Sequence, residues 1–348
     1  MLIRLVLRRL SVVSGVAFLV FATTRCGGKR VNLGLVAEAG AENGGATNEA
    51  GSGGRSSGAG GSSANGGTMS IGGSTSTAPF EEPLFENVKL VEELAASSDS
   101  FADENPTLTY NRLEIYFTSN RDGGTGSDDV WMARRNRTQD PFDSPVPVAS
   151  VNTEKSESSP AISPDGKWLW IGVERDGGMG GRDIWRFERT GSDITFGNVT
   201  LEPNVNTTED DIPRPLGNGL KTMPLASRID TGIYQTYFAT RADTTGNFGT
   251  PVLVQELFVD DRKLTDAFLT DDGLTLYFVR AKDDKNGDIY VAHRNTVSDA
   301  FQTPLPLTTI NGTNDDRDPW LSPDGQELYF VSDRDGNTRI YRATRKMP

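Results

Sequence analysis

Two side chains on which much chemistry depends are almost missing: the 348 residues hold one cysteine and one histidine. A lone cysteine excludes any disulfide within the chain; a Ser-His-Asp device would hinge on the one histidine alone, and a His-based metal site would lack companions. His293 follows Asp288-Ile-Tyr-Val-Ala at the end of an extended segment and reads as a surface residue. Basic charge is scarce too. Thirty-five Lys and Arg face 48 Asp and Glu, a formal −13 that makes nucleic acid and anionic lipid poor partners. After Leu94 no amphipathic helical stretch of useful length appears, so an α/β architecture has little to build on. The apolar run from Leu10 to Ala22 falls short of the roughly 18 residues that span a bilayer.

Arg4, Arg8 and Arg9 precede that run, so residues 1–26 read as an export leader, with a retained membrane anchor as the alternative. Cys26 sits where a bacterial lipoprotein would be cleaved and acylated, although Thr23, Thr24 and Arg25 make a poor lipobox. Lipidation there would be the chain's one link to a membrane. Residues 27–79 hold 16 of the 38 glycines and carry no charge between Ser56 and Pro79. Such a segment cannot bury enough surface to fold and reads as a disordered tether, with a reach of about 40 Å. Without the first 25 residues, which include four arginines and no acid, the formal charge falls from −13 to −17. The expected setting is the periplasm, outer membrane or surface of a bacterium.

Residues 80–348 are built from repeats of about 53 residues. Ile162-Ser-Pro-Asp-Gly-Lys-Trp-Leu-Trp-Ile171, Leu269-Thr-Asp-Asp-Gly-Leu-Thr-Leu-Tyr-Phe278 and Leu321-Ser-Pro-Asp-Gly-Gln-Glu-Leu-Tyr-Phe330 align directly. Leu108 to Phe117 joins them, and Pro215 to Gly219 is a degraded copy. A basic residue follows each at Arg121, Arg175, Arg228, Lys282 and Arg334, in steps of 54, 53, 54 and 52. The repeats fall near 101–153, 154–207, 208–261, 262–315 and 316–348. Each divides into an inner strand after Pro106, Pro160, Pro213, Ala267 or Pro319, a nearly all-apolar second strand, a third strand such as Asp183-Ile-Trp185, and a proline-containing fourth segment. Proline lacks the amide donor that a central strand needs, which places the fourth segment at a sheet edge. Second strands without alternation suit a sheet packed on both faces. Four antiparallel strands ending in an edge make a propeller blade. The expected fold is all-β, a five-bladed β-propeller, with a six-bladed ring as the alternative.

The fifth repeat stops without its edge segment, and Phe80-Glu-Glu-Pro83 has the Phe-to-Pro spacing of Phe142/Pro145, Phe248/Pro251 and Phe301/Pro304. Residues near 80–94 are therefore expected to supply the outermost strand of the last blade. A bare blade edge would be a liability.

Ser-Pro-Asp-Gly before an apolar strand, then an acidic or Ser residue with Arg-Asp-Gly, then Asp-Ile-Tyr/Trp, resembles the WD40-like PD40 repeats of TolB-type β-propellers, best from Ile162 to Trp185 and Leu321 to Tyr341. That resemblance implies a non-catalytic, protein-binding scaffold of the bacterial cell envelope and brings no catalytic residues. The third repeat departs from the pattern at Pro224 and Gln235-Thr-Tyr237, so its blade is expected to be distorted.

The recurrent Arg and Asp, as in Arg121 with Asp129 and Arg175 with Asp183, read as an ion pair of the folding frame. Acids recur where the chain enters each inner strand, at Asp103, Glu157, Asp210 and Asp316, thickened by Glu104, Asp211, Asp266 and Asp318. The expectation is an acidic channel mouth that attracts a basic peptide segment or Ca²⁺, the one cofactor that such carboxylates would take. The reading of hydrated turns stands beside it. Arg317-Asp318-Pro319 also resembles the Arg-Asp-Pro motif of five-bladed glycoside hydrolases, which leaves a carbohydrate-active hydrolase as the second reading. The body is expected to be a monomer.

Overall fold

A computed structural model describes residues 79–347 apart from 192, 230, 260 and 283–285, and a separate pair of three-residue strands, Thr24–Cys26 and Lys29–Val31. The rest of the leader and of the tether, and the side chain of Cys26, lie outside the described residues. Residues 79–347 make up the body of the protein.

Five four-stranded antiparallel sheets form the blades of a β-propeller. The first blade runs Asp103–Leu108, Glu114–Ser119, Asp129–Arg134 and Val146–Pro147, and the second Glu157–Ile162, Trp168–Val173, Asp183–Arg189 and Phe196–Leu201. The third and fourth follow as Asp211–Pro213, Thr222–Ser227, Gln235–Thr240, Val252–Leu253 and Lys263–Leu269, Thr275–Ala281, Asp288–His293, Leu305–Pro306. The fifth takes Asp316–Leu321, Glu327–Ser332 and Arg339–Arg345, and its outer strand is Phe85–Leu90 from the other end of the chain. The ring closes as the Phe80 spacing implies. Tyr341 pairs with Leu90 and Arg345 with Phe85, while Phe85, Val91 and Leu94 are buried.

Why the second strands lack alternation is visible in their burial: Ile115, Tyr116 and Phe117, like Leu328 to Val331, are fully buried between neighbouring blades. The phenylalanine that opens each edge segment has its own partner. Arg135, Arg189, Arg241 and Arg294 lie over Phe142, Phe196, Phe248 and Phe301 at 4.3, 5.2, 4.4 and 4.5 Å. Each Nε donates to the carbonyl of the hairpin turn below, at Arg112, Gly166, Leu220 and Gly273. One guanidinium thus joins three strands of a blade. Arg294→Met should cost about 2 kcal/mol, the loss of a desolvated cation–π contact and one charged hydrogen bond. The urea midpoint measures it, and an unchanged midpoint would mean that the stack is incidental.

Four inner strands are kinked by a bulge, between their second and fifth residues in three blades and between Thr265 and Phe268 in the fourth. The bulge residue is Asn105, Ser159, Asp266 or Asp318, each with φ between +52° and +56°. The third blade is the distorted one, as its departures from the repeat imply: its inner strand is only Asp211–Pro213, because proline cannot take a positive φ. His293 is half-buried rather than on the surface, stacked on Phe80 at 4.8 Å and within 3.2 Å of Thr275 Oγ1.

Candidate functional site

Inner strands start at one face of the ring, and the loops between second and third strands end there. Three repeat positions converge on that mouth: the residue before the bulge, the bulge residue itself, and the residue that enters the third strand. They line an axial cavity of about 240 Å³. Unlike the frame around them, these positions do not repeat. The first is Glu104, Ser158, Ile212, Thr265 and Arg317; the last is Asp128, Arg182 and Tyr234 in the first three blades and Gly287 in the fourth. A Cβ at Gly287 would lie 2.9 Å from Asp315 Oδ1, which accepts the Gly287 amide at 2.7 Å.

The bulge residues are tied across the axis. Asp318 is the hub: it accepts from Asn105 Nδ2 at 2.6 Å, the Asn105 amide at 3.2 Å and Arg214 Nη1 at 2.9 Å. Arg214 Nη2 reaches Asp266, and Ser159 Oγ lies 3.4 Å from Asn105 Oδ1. Arg214 follows Pro213 where the third blade gives up its bulge, so the break in the repeat delivers a cation to the axis. Burial pulls its guanidinium below the ordinary value, and Asp318 pulls it back up. Around the hub, Arg317 binds Glu104 at 2.7 Å and Asp315 at 3.4 Å. Burial raises the Glu104 carboxyl, Arg317 lowers it, and the charges of Asp318, Asp128 and Asp315 raise it further.

The acids expected at the mouth separate into two groups. Asp103, Glu157, Asp211 and Asp316 are fully buried and do not face the channel. Each draws the incoming loop onto the inner strand by accepting an upstream amide, from Ala96, Thr153, Thr207 and Gly312 respectively. In the third blade Asp211, not Asp210, occupies this place, since Asp211 faces Ser227 as Asp103 faces Ser119 and Asp316 faces Ser332. Asp210 instead accepts from Tyr234 Oη at 2.5 Å and the Arg182 amide at 2.9 Å. Only Glu104, Asp266 and Asp318 of the expected set line the cavity, joined by Asp128 and Asp315. The mouth is not of one sign, because Arg182, Arg214, Lys263 and Arg317 share it.

The recurrent ion pair also differs from its sequence reading. Arg121 binds Asp103 and Arg334 binds Asp316 at 2.7 Å, across the sheet, whereas Asp129 accepts the Thr125 and Gly126 amides of its own turn. Arg121 and Arg334 also lie over the third-strand aromatics Trp131 and Tyr341, at 5.2 and 5.1 Å, and in the fourth blade that place is taken by Arg280, 5.0 Å from Tyr290 and two residues before Lys282. Among the described residues no group of three His, Cys, Asp or Glu is placed to hold a metal ion.

Sequence reasoning missed Asn105, Arg182, Arg214 and Tyr234. The signal was there, as residues that vary within a frame that repeats.

No protein-family model and no curated protein matches the chain. Solved β-propellers do. An endo-arabinase from Bacteroides thetaiotaomicron is similar over 73% of this chain and 98% of that one, at 12% identity and a TM-score of 0.52. TolB proteins are also among the structural neighbours of this chain. TolB from Acinetobacter baumannii covers 71% of this chain at 16% identity and a TM-score of 0.43, and this chain spans 55% of that protein's length. A putative TolB from Agrobacterium tumefaciens covers 70% at 17% identity and the same score. At such identities the likeness is one of fold, the β-propeller. No helix among the described residues is long and apolar enough to cross a membrane.

Proposed function

We propose that the body is a non-catalytic scaffold of the bacterial envelope that takes a basic segment of a partner protein on its mouth face. One observation carries this reading: four of the five carboxylates inside the mouth are engaged by its own arginines, while the exposed rim outside them carries more acid than base. Asp99, Asp122, Glu154, Asp176, Asp261 and Asp335 are exposed on the loops of this face. Lys155, Arg262 and Lys282 are exposed on the same loops, so the rim is acidic in balance, and a net charge of that sign steers an oppositely charged partner and makes its capture sensitive to salt. General acid–base chemistry needs a carboxyl free to exchange its proton with a substrate; Asp266, Asp318, Glu104 and Asp315 each hold a guanidinium, and Asp128 accepts from Ser156 Oγ at 2.8 Å.

The second reading, hydrolysis of a glycan, has one observation in its favour, the raised carboxyl of Glu104 near the charge of Asp318. Glu104→Gln separates the two, since the amide oxygen still accepts from Arg317. A scaffold retains capture of a Lys/Arg-rich peptide within about twofold, weakening at least tenfold between 50 and 300 mM salt. A hydrolase loses turnover on a glycan panel by at least about a hundredfold. Turnover by the parent chain would overturn the scaffold.

A further inference from the structure

Four of the five junctions between blades bring the first residue of a third strand close to the first residue of the next inner strand. From the fifth blade to the first the two are Arg339 and Asp103, 3.7 Å apart, and Arg121 binds Asp103 as well. From the fourth to the fifth they are Asp288 and Asp316, and Arg334 supplies a cation at 2.7 Å. From the first to the second they are Asp129 and Glu157, with the charge of Arg175 close to Glu157. Between the second and third blades they are Asp183 and Asp211, 1% and 0% exposed, and among the described residues neither takes part in a salt bridge. Arg228, the arginine of the repeat there, is turned away to Glu209 at 3.6 Å, Asp210 at 3.4 Å and the ring of Tyr234.

Each of these two carboxyls is half satisfied. Asp183 Oδ2 accepts the Met179 and Gly180 amides at 2.9 and 3.4 Å, and Asp211 Oδ2 accepts the Thr207 amide and Oγ1 at 2.6 and 2.9 Å. Asp183 Oδ1 and Asp211 Oδ1 are buried without a hydrogen-bond partner, and so is the hydroxyl of Ser227, which faces Asp211 across the strand pair. In the first blade the corresponding Asp103 Oδ1 accepts from Ser119 Oγ at 2.8 Å and from Arg121. The two acids belong to one place: the Asp211 amide donates to the carbonyl of Arg182, next to Asp183, at 2.7 Å. Burial raises the Asp211 carboxyl, the nearby Ser227 hydroxyl and the Thr207 donors lower it, and the charge of Asp183 raises it again. We infer that a Ca²⁺ ion seats at this junction on Asp183, Asp211 and Ser227, where the other blades use a guanidinium. Two carboxylates and a hydroxyl are a hard, all-oxygen donor set of charge −2, which suits a divalent cation that accepts oxygen ligands in flexible geometry. Ca²⁺ lies about 2.3–2.6 Å from its oxygens, closer than a water molecule comes, so oxygens shut off from solvent can still hold it. It enters as the blades close, which makes its binding part of folding. The alternative, one proton shared by the two carboxyls, is opposed by the amides on both Oδ2 atoms, since such donors favour the ionised form.

This site is independent of the mouth and of what the mouth captures. The test starts from the full chain stripped with EDTA and refolded, then titrated with CaCl₂ or MgCl₂ to 5 mM, with bound metal counted by elemental analysis and stability read as melting temperature. Calcium should bind at one ion per chain and raise the melting temperature by at least about 3 °C, magnesium should do so by less than half as much, and EDTA should reverse the rise. Asp211→Asn should abolish the rise, and in EDTA it should melt no lower than the parent, because it removes one of two facing charges. Ser227→Ala, a smaller change, keeps the test alive if Asp211→Asn misfolds, and it should weaken calcium binding threefold or more. Asp128→Asn at the mouth should leave the calcium rise unchanged. No bound calcium and no rise would overturn the inference, as would a rise that Asp211→Asn and Ser227→Ala leave intact or that Asp128→Asn removes. A parent that gains stability between pH 7 and pH 5 with no response to calcium would assign the pair a shared proton instead, and overturn it too.

Discussion

A chain lacking residues 80–94 will lose the cooperative unfolding of the parent and aggregate at micromolar concentration. The deletion removes the outer strand of the fifth blade, with the pairs Tyr341–Leu90, Arg342–Lys89, Thr344–Glu86 and Arg345–Phe85. It also removes Phe85, Val91 and Leu94 from the largest hydrophobic cluster, next to Ile340 and Tyr341. Three buried apolar side chains at roughly 1.5–3 kcal/mol each amount to about 5–9 kcal/mol, comparable with the whole stability of an ordinary domain. Further ties go with them: Glu82 to Thr308, the Phe85 amide to Thr309 Oγ1 at 2.9 Å, and Phe80 on His293. What remains is Arg339–Arg345 as a bare seven-residue edge, a template for pairing between molecules. Thermal unfolding with size-exclusion chromatography decides it. A truncated chain that elutes as a monomer and melts where the parent melts would show that the ring does not depend on this strand. The milder change Leu94→Ala should cost about 2–5 kcal/mol.

Arg214→Met is expected to be the most damaging single substitution at the mouth, at about 3–5 kcal/mol near pH 7. Methionine nearly fills the space but takes the cation from Asp266 and leaves Asp318, only 4% exposed, with Arg317 Nε at 3.9 Å as its remaining cation. The loss should depend on pH with a definite sign. Unpaired burial raises a carboxyl, so the folded variant binds protons more tightly than the unfolded chain, and its stability falls as pH rises through the carboxylate range. The variant should therefore sit nearer the parent at pH 4.5 than at pH 7. Adding Asp318→Asn removes one of the stranded charges and should restore part of the difference at pH 7. A loss under about 1 kcal/mol, the same at both pH values, would mean that the ring of polar side chains is not held by charge.

The blades and their closure were legible in the sequence because both rest on period. A 53-residue step, proline in the edge segments and the Phe80-to-Pro83 spacing constrain backbone pairing directly. Burial of the acids was not legible. An Asp in a turn and an Asp at the first residue of a strand are one position apart in sequence, and they differ in whether water or a backbone amide satisfies the carboxylate. The recurrence of Asp103, Glu157 and Asp316 marks a folding device rather than a mouth. Arg121 was assigned the wrong acid for a similar reason, since its true partner lies 18 residues upstream across the sheet rather than eight downstream along a hairpin. The cavity was hidden because its residues share no pattern. Arg214 became visible only when the third blade was seen to lose its bulge.

That bulge has an evolutionary side. By turning one residue of four inner strands out of the pleat, it frees that side chain from the alternation that packs its neighbours between blades. Asn105, Ser159, Asp266 and Asp318 differ in size, polarity and charge, yet they sit on nearly the same backbone. The axis therefore works as a set of interchangeable sockets. Point changes there alter the side chains at the axis one blade at a time, without touching the apolar residues packed between the sheets.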